Sequence, residues 1–262
     1  MSSDFKIQSF TFDVPQRRVI GLEDNPLSRD WPVVYLIHNN LQLYIGETSS
    51  AITRMSQHLD NTDRSRLNKV EIIFDKEYNK SAILDIEQSL IHLYSVDGKY
   101  ELQNRNGGQS KKHNYYQREK YLNKVEMIWQ QLQEMGMTSK TIFDIRNSDA
   151  YKYSPYHSLT EEQNSLCSAT MHYILDHLLV ERRCLTIVQG TAGTGKSVVL
   201  MNMLFQLVNA NSFKIDFSEE DEQLNDYQLI QHKVNEYLEK NGKAELKVAY
   251  VIAMTSFRGT IK

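Results

Sequence analysis

Cysteine is nearly absent from this chain: Cys167 and Cys184 are the only two among 262 residues. That is too few for a disulfide framework or a Cys-rich zinc site, so both are read as reduced thiols of a cytoplasmic protein. No apolar run approaches the roughly 18 residues that a membrane span requires. The N-terminal stretch MSSDFKIQSF lacks the basic-then-apolar pattern of a secretion signal. Secreted and membrane classes are therefore disfavoured. An excess of either charge is missing too. With 30 Lys+Arg against 33 Asp+Glu the net charge is −3, which argues against binding nucleic acid through bulk charge but allows a local basic groove. There is no internal repeat and no low-complexity tract. What is present is ordinary globular composition, 40% hydrophobic and 24% charged, which disfavours wholesale disorder. The length suits one large domain or two small ones. Fifteen tyrosines are a high count, enough for some to be working residues.

Residues 1–29 read as a lead-in arm with one short strand near Phe5–Phe12. The run Pro32–His38 is β-rich, Asn39-Asn40 marks a turn, and Leu41–Ile45 is β-rich again before Gly46. That is a hairpin pattern. A helical pattern follows from Ser49 to about Leu59, then a third short strand at Val70–Phe74. Ser81–Tyr94 places Ile83, Ile86, Leu90 and Leu93 near helical spacing. Tyr116–Met135 reads as another helix, ended by Gly136. A boundary falls within residues 145–160. Beyond it, Thr160 followed by Gln163 forms a capping box that opens a helix to about Leu179. Cys184–Gln189 reads as a buried strand, Lys196–Asn209 as a helix, residues 216–226 as an acidic loop, Tyr227–Lys240 as a helix and Lys247–Met254 as a final buried strand.

The hairpin places Tyr35 and Tyr44 on neighbouring strands, while Arg54 and His58, four apart, share one helix face. Gly46 lets the backbone turn closely from strand to helix. Two phenols, a guanidinium and an imidazole in one place suit phosphodiester hydrolysis. An arginine fork matches the charge that gathers on phosphate oxygens, and a tyrosine beside a divalent ion can activate water. A hard ion needs an oxygen ligand, and Glu87 on the next helix is the candidate, because a lone carboxylate plus waters suits Mg²⁺ or Mn²⁺. Asp85, two positions earlier, faces elsewhere. Taken singly, the two tyrosines also fit a cross-strand packing pair. Which phenol is the base stays open.

These residues resemble the GIY-YIG nuclease family over about residues 30–112. Val34-Tyr35, with Val33 in place of the family's glycine, stands for the first signature, and Tyr44-Ile45-Gly46 for the second. Arg54 and His58 fit the helix pattern, Glu87 falls on the metal-binding glutamate, and Asn104 on a frequent asparagine near the domain end. The resemblance implies a small three-stranded antiparallel sheet with flanking helices, and a catalytic set of Tyr35, Tyr44, Arg54, His58, Glu87 and Asn104. Lys111, Lys112, Arg118, Lys120 and Lys124, interleaved with His113, Tyr115 and Tyr116, suit contact with a nucleic acid, or simply a solvated helix face.

Gly190-Thr-Ala-Gly-Thr-Gly-Lys-Ser197 fits the phosphate-cradling motif G-x-x-x-x-G-K-[ST] without mismatch. It stands after an apolar run and before an apolar helix. Gly190, Gly193 and Gly195 let backbone N–H groups converge on phosphate oxygens. Lys196 is placed for the β/γ-phosphates of ATP, and the Ser197 hydroxyl for Mg²⁺. Leu159–Gln163 resembles the glutamine motif of superfamily 1 helicases, which implies that Gln163 contacts adenine; a plain helix cap is the alternative. With Val248–Arg258, residues 155–262 resemble the start of the Schlafen-like (DUF2075) helicase domain, a group found fused behind GIY-YIG domains. No hydrophobic strand ending in Asp-Glu follows Ser197. The expectation is therefore an N-terminal part of a longer protein, or a natural truncation, with doubtful ATP turnover.

The sequence thus predicts an α+β nuclease domain (30–112), a helical linker (113–154) and an incomplete α/β P-loop NTPase module (155–262). The expected function is metal-dependent cleavage of DNA coupled to an ATP-binding helicase-like module, with a role in restriction or defence by analogy of architecture. Two alternatives stand beside it: a nucleic-acid-binding nucleotide sensor that does not cleave, and an ATP-dependent helicase with an accessory nuclease-like domain.

Overall fold

Phe5, Ile7 and Phe12 are buried in a stretch read from sequence as part of a lead-in arm. In the computed structural model, which describes residues 5–104, 115–152, 159–209 and 226–249, this stretch is strand β1 (Phe5–Asp13), followed by β2 (Arg18–Ile20). The hairpin follows as β3 (Val33–His38) and β4 (Gln42–Thr48), then α1 (Ala51–Asp60), β5 (Lys69–Asp75), α2 (Lys80–Asp97) and the two-residue β6 (Glu101–Leu102). The sheet order is β2-β1-β5-β3-β4-β6. Neighbours run antiparallel except β4 and β6, which are parallel.

The expectation of a three-stranded antiparallel sheet is corrected by this mixed sheet of six. The reason lies in β5. Its flank away from β3 would expose a row of unpaired N–H and C=O groups, and β1 pairs with it from Phe5 opposite Asp75 to Thr11 opposite Lys69.

The two faces of the sheet have different cover. Phe12, Val33, Tyr35, Ile37, Val70 and Ile72 form one core with Ala51, Met55 and Leu59 of α1. The alternate residues of β3 and β4 point the other way, where α2 packs on both strands and on α3 (Arg118–Glu134). Asn79 caps α2 by accepting from the Ala82 N–H. At its far end Asp97 accepts from the backbone N–H groups of Ser139 (2.9 Å) and Lys140 (2.7 Å), which ties down the turn after α3. Asp85 accepts from Arg118 (2.7 Å) and from the Tyr115 hydroxyl (3.0 Å), so it ties α2 to the start of α3. Two short helices follow, α4 (Ile142–Asn147) and α5 (Asp149–Lys152).

The chain divides into two compact units, Met1–Tyr151 and Lys152–Lys262. In the second, α6 (Glu161–Leu179), α7 (Lys196–Asn209) and α8 (Asp226–Lys240) share a core of Cys167, Met171, Leu175, Val199, Met203 and Val234 with their neighbours. The capping box at Thr160 and Gln163 forms with both hydrogen bonds. The buried strand expected at Cys184–Gln189 does not form: these residues carry no ladder, and Leu185 and Ile187 are 82% and 70% exposed. An isolated parallel strand has no partner for its backbone groups. Among the described residues of this unit no strand is present to supply one. Of the strand expected at Lys247–Met254, residues 247–249 are described and are not a strand. The rest of it, most of Val248–Arg258, the acidic stretch up to residue 225, and Lys111, Lys112 and His113 lie outside the described residues. No described helix is long and apolar enough to cross a membrane.

Because β1 belongs to the core, Phe12→Ala is expected to cost the first unit about 3–5 kcal/mol. Urea unfolding followed by fluorescence should show the midpoint falling accordingly; an unchanged midpoint would make residues 5–20 a dispensable arm.

Candidate functional site

The register of the hairpin builds the site. Tyr35 lies opposite Gly46, and Tyr44 opposite Ile37, so both phenols stand on the face covered by α1, as diagonal neighbours. Their ring centroids are 6.2 Å apart. Arg54 and His58 project from α1 toward the same spot. His58 lies 5.4 Å from the Tyr35 ring and 5.1 Å from the Tyr44 ring, edge-on to both. The Tyr35 hydroxyl is 2.7 Å from His58 Nε2 and accepts from Arg54 Nε at 3.3 Å. Arg54 Nη1 is steadied by Gln57 at 2.9 Å.

Gly46 makes this possible. A Cβ there would stand 2.5 Å from Tyr35 Cζ and 2.9 Å from a ring carbon, far inside contact distance. The phenol rests where any other residue would place its side chain.

The protonation states follow from burial and charge. Tyr35 is fully buried, and desolvation pushes its phenol well above the usual range, with Tyr44 and Glu87 adding to the rise and Arg54 opposing it. His58 is held well below its usual range by burial, then by the positive charges of Arg54 and Arg64. Both are neutral near pH 7. Since Arg54 donates to the phenol oxygen, the phenol proton can point at Nε2, which leaves the imidazole proton on Nδ1.

Glu87 is half-buried on α2 and close enough to act on the Tyr35 phenol. It follows Ile83 by four and precedes Leu90 by three, so it rides on the packed stripe of α2. Lys80, at the start of that helix, pairs with Glu47 at 2.7 Å, beside Gly46 in β4, which pins α2 to the strand carrying Tyr44. Among the described residues no group of three or more His, Cys, Asp or Glu could hold a metal ion. A lone carboxylate is nevertheless a donor set that Mg²⁺ accepts, because this ion keeps several waters and takes substrate oxygens. Asn104 is placed differently from the others. It accepts from the Ile45 N–H (2.9 Å) and donates to the Ile45 carbonyl (2.7 Å), so its amide extends the sheet past β6 and holds β4.

Sequence reasoning missed Arg64. It lies in a 3-10 turn (Thr62–Arg64) with its Cζ 3.7 Å from the centroid of the Tyr44 ring. Only the tertiary fold places it there; its spacing from Arg54 carries no periodic signal.

In the second unit, Gly193 and Gly195 adopt positive φ of 83° and 80°, as a phosphate-cradling turn requires. Lys196 donates to the carbonyls of Gly190 (2.8 Å) and Thr191 (2.7 Å) within its own loop. Ser197 is exposed in the first turn of α7. Gln163 accepts from the Thr160 N–H at 3.0 Å and donates to the Thr194 carbonyl at 3.1 Å, so it both caps α6 and touches the loop. Residues 183–260 match the family model of the Schlafen group 3 DNA/RNA helicase domain. Over that stretch the chain is helicase-like. No curated protein and no solved structure matches the chain.

Two outcomes are expected from this geometry. Gly46→Ala should destabilise the first unit by about 1–3 kcal/mol through overpacking against Tyr35, read as a lower urea midpoint. His58 has a folded pKa below its unfolded value near 6.5, so the unfolded chain binds the extra proton. Stability from this group is complete above that value and is lost as pH falls toward the folded pKa. Unfolding free energies measured from pH 7.5 down to pH 5 should therefore decline more steeply in wild type than in His58→Gln; parallel slopes would contradict the assignment.

Proposed function

We propose that the first unit is a divalent-metal-dependent endonuclease of the GIY-YIG type acting on DNA, and that the second is a nucleotide-binding, helicase-like module that delivers or regulates the substrate. The observation that carries the nuclease reading is the convergence of Tyr35, Tyr44, Arg54 and His58 on one face of the sheet, with Glu87 within electrostatic reach.

The roles divide by burial and charge. Tyr35, buried and neutral, is a poor base; it orients His58 and is itself fixed by Arg54 and Gly46. Tyr44 is half-buried and is the phenol that reaches substrate, so it takes the role of activating water. Arg54 offers its guanidinium to the scissile phosphate, where negative charge grows in the transition state. Neutral His58, between the two phenols, receives or returns a proton. Asn104 keeps β4, and so Tyr44, in register. Glu87 would hold Mg²⁺ or Mn²⁺, which supplies Lewis-acid charge to a phosphate oxygen.

For the second unit, the likeness of residues 183–260 to a DNA/RNA helicase domain supports ATP and nucleic acid as ligands. Gly190, Gly193, Gly195 and Lys196 would cradle the phosphates, and Ser197 would ligate Mg²⁺. Lys196 must leave the loop carbonyls to do so. Gln163 reaches the loop rather than standing apart from it, which suits a link between nucleotide and α6. A restriction or defence role rests on architecture alone.

Complete burial of Tyr35 favours one competing reading, a module that binds nucleic acid and does not cleave it. One assay separates the two. Purified chain with Mg²⁺ or Mn²⁺ is expected to nick supercoiled plasmid, to stop on chelation by EDTA, and to lose about 10²–10³-fold in rate in Arg54→Ala. Glu87→Gln is expected to abolish nicking. Tight plasmid binding without nicking under any divalent ion would establish the competing reading.

A further inference from the structure

Arg64 is unusually placed for a surface cation. Its guanidinium carbon lies over the partly buried Tyr44 ring, 3.7 Å from the centroid. One edge is spoken for: Nη1 donates to Gln103 Oε1 at 2.6 Å. Gln103 is in turn oriented by its own amide nitrogen, which reaches Gln42 Oε1 and the Asp63 carbonyl, each at 3.3 Å. The Arg64 Nε–H is buried and has no hydrogen-bond acceptor among the described residues. A buried guanidinium N–H without an acceptor is costly, and the attraction between the cation and the Tyr44 ring face offsets part of that cost. The side chain is thus clamped from one side and laid on the phenol from the other.

The setting of Tyr44 gives this stack a consequence. Among the described residues, the other titratable groups near the ring include Tyr35 from β3 and Arg54 and His58 from α1, while Glu87 from α2 acts on the neighbouring Tyr35 phenol. Glu47 of β4 alternates to the opposite face of the sheet and pairs with Lys80. Arg64 is the group that lies on the ring face itself. A fixed positive charge there lowers the free energy of a phenolate relative to a phenol. Arg64 also adds to the positive potential that keeps His58 unprotonated.

We propose that Arg64 is a positioning residue of this site, which holds the Tyr44 ring in place and favours its phenolate, so that Tyr44 can serve as the base. The proposal rests on the nuclease reading of Tyr44. Gln103 belongs to the same device, because it accepts from Arg64 Nη1 and holds that end of the guanidinium.

The test follows individual tyrosines by ¹³Cζ NMR titration of the full chain, with Tyr44→Phe to assign the Tyr44 signal. Arg64→Met keeps the bulk of the stack and removes the charge. It is expected to raise the Tyr44 midpoint by about one pH unit, with Arg64→Lys falling between it and wild type. The pH profile of plasmid nicking should move the same way, with kcat at pH 7 falling about tenfold and KM nearly constant. Should Arg64→Met fail to fold, Gln103→Leu releases the clamp without touching the stack and should shift the midpoint in the same direction by less. A Tyr44 midpoint that is identical in wild type, Arg64→Met and Gln103→Leu would overturn the proposal. A wild type that does not nick under any divalent ion sinks the nuclease reading instead, while the phenol titration still decides whether Arg64 governs Tyr44.

Discussion

A missing side chain organises the first unit. At Gly46 the strand has no Cβ, and the Tyr35 hydroxyl rests in the space this leaves. Everything around it takes its position from that contact. The phenol must lie low across β4, so its oxygen arrives between Arg54 and His58 of α1. Burial then keeps phenol and imidazole uncharged, and the half-buried Tyr44 is the less sealed of the two phenols. A single steric vacancy thus sets geometry, protonation and accessibility together.

The supports of this arrangement come from distant parts of the chain. Asn104 locks the backbone of Ile45, one residue before Gly46. Lys80 ties the start of α2 to Glu47, one residue after it. Arg64, held by Gln103, lies over Tyr44 from a third direction. The strand carrying the site is therefore gripped on both sides of its glycine. That grip holds the distances among these side chains. The second unit differs: its glycine-rich loop has the backbone turns that its sequence motif calls for, yet its lysine is spent on loop carbonyls and the apolar run before it is exposed.

Local patterns were legible wherever the physics was local. The helix at Ser81–Tyr94 was read from its apolar spacing, and α2 covers it. The capping box at Thr160 and Gln163 formed as read, and α7 begins and ends where the pattern placed it. The hairpin was visible from two β-rich runs about a turn. Readings that depended on a distant partner fared worse. The stretch at Phe5–Phe12 was recognised as a strand but assigned to an arm, because nothing nearby in the chain reveals that β5 has a flank to fill. Cys184–Gln189 looks like a core strand in any local window, and only the absence of a described neighbour leaves it unpaired.

The same division holds for the site. Residue types and spacing showed that two phenols share a hairpin and a guanidinium and an imidazole share a helix face, because a tight hairpin and an i,i+4 helix pair are short-range facts of backbone geometry; the packing of α1 on the sheet brought the two pairs together. Spacing also separated Glu87 from Asp85, two positions apart on a helix. The fold alone decided which phenol is sealed and which is open, that Asn104 binds backbone, and that Arg64 lies on Tyr44. Burial and long-range contact are sums over the whole packed chain, and no window of sequence contains them.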